Sequence, residues 1–166
     1  MALKYLAGYN PALVAQVQAL IDDGRLAQSV RLRHPQDHAV RSDRALFAYV
    51  DAMRLEFLRN AAPLAKVFFD NKLHVVEQAL GTHTTISRVQ GNRLVAKREI
   101  RIASVFKEAP ADFLRMIVVH ELAHLKERDH NKAFYGLCVH MEPNYHDLEF
   151  DLRLWLTARE LQPVGP

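Results

Sequence analysis

The segment PADFLRMIVVHELAHLKE, residues 110–127, constrains this chain more than any other. Pro110 suits the first position of a helix, and Asp112 suits the first turn, where a carboxylate meets the helix's partial positive charge. From Phe113 to Val119 the residues are apolar nearly all round, so a helix here has no side to offer to water. It must lie at the centre of a domain, with the rest of the chain wrapped around it. His120, Glu121 and His124 close the apolar run, where polar side chains without partners are costly to bury.

The rest of the chain supplies the wrapping. Asn10 can cap a helix with Pro11 at its first position, and Leu13, Val14, Val17, Leu20 and Ile21 recur at helical spacing until Gly24 stops it. A second helix is expected after Ser42, with Leu46, Val50, Met53 and Phe57 on one face, ending before Pro63. Between them RLAQSVRLRHPQDHAVR reads as a charged connection with one short element. The period then changes. AKVFFDNKLHVVEQAL reads as two β-prone runs around an Asp70-Asn71 turn, THTTISRV as a third, and LVAKREIRIAS alternates with Leu94, Ala96, Ile100 and Ile102 on one face. A small, mostly antiparallel sheet of three to five strands fits. After the central helix come one from about Asn131 to Met141, stopped at Pro143, and a last one with Leu148, Leu152 and Trp155 at i, i+4 and i+7. The expected class is α+β. Amino-terminal helices are followed by a small sheet, then a helical half centred on residues 110–127.

A length of 166 residues suits one domain, read as a helical extension over 1–62 on a core over 63–160. Apolar residues at 49% against 25% charged give the balance of a soluble globular protein. A formal charge of +3 is too small for a dedicated nucleic-acid binder. The single Cys138 excludes an internal disulfide and any cysteine-rich metal module. The first residues carry no signal-peptide pattern, and no window approaches 18 uninterrupted apolar residues, so a cytoplasmic protein without a membrane span is expected.

The chemistry is concentrated in IVVHELAHLKERDHNKAF, residues 117–134. On a helix His120 and His124 project from one face and can converge on one ion. Glu121 lies about 100° round, beside the ion, where its carboxylate can reach a coordinated water. This is the H-E-x-x-H arrangement of zinc hydrolases, with the glutamate as general base. His130 is the expected third ligand. If the helix continued, that residue would sit about 240° round and point away, so the helix must break first. Asp129 and Asn131 tolerate the turn such a break needs. Glu142 and Glu149 are the alternatives, at the longer spacings of glutamate-ligand zinc proteases.

VVHELAHLKERDHNKAFYGLCVHMEPNYHDLEFDLRLWL resembles the YgjP-like metallopeptidase domain, a relative of the SprT-like and WLM zinc proteases. The shared pattern is an apolar run into H-E-L-x-H-L, a short gap to H-x-x-x-F, then P-[DN]-Y and a terminal helix. All four pieces occur in order over about residues 110–157, ending with Pro143-Asn144-Tyr145 and Trp155-Leu156. Upstream the match weakens: GTHTTISRV lacks the Trp and Cys of the family's strand. The resemblance implies a zincin-like fold and one zinc ion held by His120, His124 and His130, with Glu121 as base.

Tyr145 and His83 are the candidate substrate-binding residues. The phenol would steady an oxyanion across from the ion, and the imidazole would face the cleft from an edge strand; packing and surface roles are the competing readings. Asp147, Glu149 and Asp151 could accept the second ring N–H of a ligand histidine. The cluster Arg88, Arg93, Lys97, Arg98 and Arg101 reads as a solvated strand face, with nucleic-acid association as a minor option. Cys138 reads as a small core residue. Together these features predict a zinc metallopeptidase that binds a peptide or protein substrate along Thr82 to Val89. The rival is a non-catalytic zinc domain, closed by a fourth protein ligand, that binds a protein partner or DNA.

Overall fold

A computed structural model of the chain describes residues 3–74 and 98–161. Its elements run α1 (Pro11–Asp22), α2 (Leu26–Arg33), α3 (Asp43–Phe57), β1 (Lys66–Asp70), β2 (Glu99–Ala103), α4 (Ala111–Ala123), α5 (Lys132–Met141) and α6 (Tyr145–Leu161). The class is α+β. Local chemistry sets the helix ends. The Asn10 side chain accepts from the Ala12 amide at 2.7 Å, and Pro11 follows it as the first helical residue. Gly24, at φ +69°, supplies the left-handed residue that releases the chain from α1. Ser42 accepts from the Ala45 amide at 3.1 Å to start α3. The one short element expected in the connecting segment is α2.

The sheet departs from expectation. β1 and β2 pair in parallel, with Lys66 opposite Glu99 and Asp70 opposite Ala103, where a mostly antiparallel sheet was expected. Alternation identifies a strand but not its direction. Antiparallel neighbours need only a tight turn, while parallel ones need a return of a dozen or more residues, for which residues 71–98 leave room. Asp70 does make a turn, accepting from the Lys72 amide at 2.8 Å, but no strand follows it as far as His74. The expected strand at THTTISRV, the edge at 82–89 and His83 lie outside the described residues. The alternation in β2 holds, with Ile100 and Ile102 buried and Arg101 exposed.

α4 is the axis of the molecule. It packs against α3, α5, α6 and β2, and Phe113, Leu114 and Met116 through Val119 are fully buried. Each large apolar side chain so buried contributes about 1.5–3 kcal/mol relative to exposure. That burial anchors the helix firmly enough to carry His120 and Glu121, each 1% exposed, at depth. A polar tie locks its first turn. His34, at the end of α2, places Nδ1 2.8 Å from Asp112 and Nε2 2.6 Å from Asp151 of α6. Arg33 grips the same Asp151 through Nε and Nη2, at 3.2 and 3.1 Å. Among the described residues no helix is long and apolar enough to cross a membrane.

Candidate metal centre

α4 stops at Ala123, and His124 caps its carboxyl end. The amides of Lys126 and Glu127 fold back onto the Ala123 carbonyl, so the chain leaves the helical path. It turns through 124–131 until Asn131 accepts from the Phe134 amide at 2.8 Å and starts α5. This reversal brings His130 back to the two helix histidines. Nε2 of His124 lies 3.2 Å from Nε2 of His120 and 3.1 Å from Nε2 of His130. Among the described residues, these three form the group of side chains that could hold a metal ion.

Both the spacing of the nitrogens and the placement of their protons bear on an ion. Nitrogens about 2.0–2.1 Å from a tetrahedral ion stand about 3.3–3.4 Å apart, close to the separations observed. His124 Nδ1 is 3.0 Å from the Glu127 carbonyl, which can only accept, so Nδ1 carries the proton and Nε2 presents its lone pair to the cluster. His120 Nδ1 is 2.8 Å from the Tyr145 hydroxyl. That contact lets Nδ1–H donate to the phenol while Nε2 also faces inward. Converging lone pairs repel one another unless a cation sits between them. The donor set suits a metal ion.

The surroundings hold the imidazoles still. Phe134, fully buried, packs its ring 5.0, 4.5 and 4.9 Å from those of His120, His124 and His130. The H-x-x-x-F spacing had pointed to this residue without revealing that it floors all three rings. Tyr145 is also fully buried. Burial pushes its hydroxyl far above the usual phenol range, so it is a neutral donor and acceptor. It stands behind His120, on the Nδ1 side, and not across from the histidine cluster where an oxyanion would form. Burial likewise pushes the Cys138 thiol up to about 12, which fits a core residue.

Other sequence candidates find different partners. Asp151 is taken by His34 and Arg33, and the second ring nitrogens of His120 and His124 face a phenol and a backbone carbonyl instead of Asp147, Glu149 or Asp151. Glu142 binds Arg115 at 2.9 Å and accepts from the Asn144 amide, facing away from ligand duty. Arg101 of the basic cluster pairs with Glu99 at 2.9 Å on the exposed strand face.

The protein is similar to known sequences along nearly its whole length. It is 58% identical over 159 residues to the UTP pyrophosphatase of Escherichia coli (strain K12), covering 96% of this chain and 95% of that protein. No solved structure matches it. Residues 56–154, which span both strands, the central helix and the histidine cluster, match the YgjP-like, metallopeptidase domain, and the chain belongs to that family.

Proposed function

We propose that this protein is a zinc-dependent hydrolase that cleaves a phosphoric anhydride bond of UTP. The observation that carries the substrate reading is the likeness to a UTP pyrophosphatase, which extends across 96% of the chain instead of stopping at the histidine motif. The trio of converging imidazoles supports the metal, and an all-nitrogen set at tetrahedral spacing favours zinc. In this reading water takes the fourth tetrahedral position, as in catalytic zinc sites with three protein ligands.

When bound, the zinc would supply the positive charge that brings the pKa of a coordinated water down to about 7. His120, His124 and His130 would hold that charge in place, fixed in turn by Tyr145, the Glu127 carbonyl and Phe134. Glu121, on the same last turn of α4, takes the proton as the water oxygen bonds to phosphorus and the anhydride P–O bond breaks. A pyrophosphate leaving group departs as a stable anion and needs no proton. An amine would require Glu121 to return the one it took.

Cleavage of a peptide bond is the second reading, favoured by the metallopeptidase-domain match over residues 56–154. One experiment separates the two. The purified protein, loaded with zinc, is assayed for pyrophosphate release from UTP and for cleavage of a peptide library, beside Glu121→Gln. Release from UTP by the parent, lost in a variant that keeps its zinc, is the expected result. Cleaved peptides with intact UTP would establish the peptidase instead, and zinc binding with neither activity would leave a non-catalytic domain.

A further inference from the structure

Next to the histidines, α5 and α6 present a band of aromatic and polar side chains that the hydrolytic step leaves unused. The ring of Tyr135 lies 6.3 Å from that of His130 and 5.4 Å from that of His146, centroid to centroid. His146 is exposed and Tyr135 half-buried, so the pair faces outward beside the metal centre. Further along α6, Glu149 and Arg153 stand at i and i+4 on one face. Arg153 is held in place by the Tyr5 carbonyl, 2.8 Å from Nη1, and by the ring of Tyr9, 5.2 Å from its guanidinium carbon.

Glu149 is the member that asks for a ligand. It forms no hydrogen bond or ion pair among the described residues. Burial pushes its carboxyl up, while the charges of Arg153 and His146 pull the other way. A half-buried acid without a donor among the described residues, next to a positioned guanidinium and a stacking surface, has the composition of a binding subsite.

We infer that this band is the nucleobase subsite of the active centre: Tyr135 and His146 stack the ring, and Glu149 with Arg153 reads the polar edge of uracil. The inference rests on the UTP reading above and adds the residues that select the base. Uracil presents an N3–H donor flanked by the O2 and O4 acceptors. A carboxylate accepts from N3–H, and a guanidinium donates to the neighbouring O4. Cytosine reverses both groups. Its N3 is an acceptor that meets the carboxylate, and its exocyclic amine is a donor that meets the guanidinium. The same two side chains therefore attract one pyrimidine and repel the other, while aromatic stacking serves either. The closeness of Tyr135 to His130 leaves the phosphates, one ribose away from the base, near the metal ligands.

The test compares UTP with CTP on the zinc-loaded protein, by kcat/KM for pyrophosphate release and by calorimetric binding of UMP and CMP. The parent should favour uracil about tenfold to a hundredfold, the usual worth of one paired edge contact. Glu149→Gln, whose amide can accept from uracil or donate to cytosine, should bring the ratio to within about threefold. His146→Ala, at an exposed position that leaves folding intact, should raise KM for both nucleotides by a similar factor. A parent that hydrolyses UTP and CTP equally well, or a Glu149→Gln variant whose ratio does not move, overturns the subsite while leaving the UTP reading standing. A parent that hydrolyses no nucleotide overturns both.

Discussion

Replacing Tyr145 with phenylalanine removes a single oxygen, and the structure says where its loss will be felt. The hydroxyl lies 2.8 Å from His120 Nδ1 and is fully buried, so no solvent can take its place. In the ion-free protein the contact is an ordinary hydrogen bond between neutral groups, worth about 1 kcal/mol. With the ion bound, the imidazole is polarised, its Nδ1–H becomes a stronger donor, and a charge-assisted bond is worth roughly twice as much. The loss is therefore greater with metal than without. The difference of about 1–1.5 kcal/mol corresponds to roughly a tenfold weaker zinc affinity, the lower end of the range seen when the partner of a ligand histidine is removed. Competition against a chromophoric chelator measures that affinity, and thermal unfolding of the ion-free protein measures the shared stability cost. If Tyr145→Phe binds zinc within twofold of the parent while its ion-free form unfolds earlier, the phenol merely packs and the argument for its orienting role is refuted.

Three further outcomes follow from contacts already described. His34→Leu leaves the Asp112 and Asp151 carboxylates facing each other without their bridge; with Asp112 about half exposed, denaturant unfolding should show a loss of about 2–3 kcal/mol. Burial raises the Glu149 carboxyl above its ordinary value of 4.5, so the stability tied to its protonated form is full below pH 4.5 and is lost as pH rises through the folded-state value. Glu149→Gln should accordingly unfold at a higher temperature than the parent at pH 7 and match it below pH 4.5, as scanning calorimetry at both pH values will show. Stripping metal with a chelator should lower the unfolding temperature, and restoring zinc at a hundred times its dissociation constant should return about 2.7 kcal/mol; a His130→Ala variant should show neither effect.

The parts of the site that depend on local spacing were legible in the sequence. His120 and His124 share a helix face because helical geometry puts i and i+4 together, and the Asp129–Asn131 stretch signalled the turn that returns His130. The caps at Asn10, Ser42 and Asn131 were visible for the same reason, since each acts on amides two or three residues away. Contacts between distant parts of the chain left no such trace. Nothing in the spacing of residues 34, 112 and 151 announces that they meet, or that Tyr145 reaches back to His120. The parallel pairing of β1 and β2 was equally hidden, because Val67 and Phe69, or Ile100 and Ile102, alternate identically whichever way the neighbouring strand runs. Substrate was the least legible property. H-E-x-x-H describes how water is activated and says little about which bond it attacks, so the motif pointed to peptides while the relative matched along nearly the whole chain is a UTP pyrophosphatase.

The acceptor that orients His124 is the main-chain oxygen of Glu127, an atom that every amino acid carries. Exchanging the glutamate at that position for another residue cannot delete it, provided the turn keeps its course. One of the hydrogen bonds behind the histidine pair is thus written in the path of the chain, and another in one tyrosine. Mutational drift should bear unequally on the two: position 127 is free to wander, while position 145 is held to a hydroxyl.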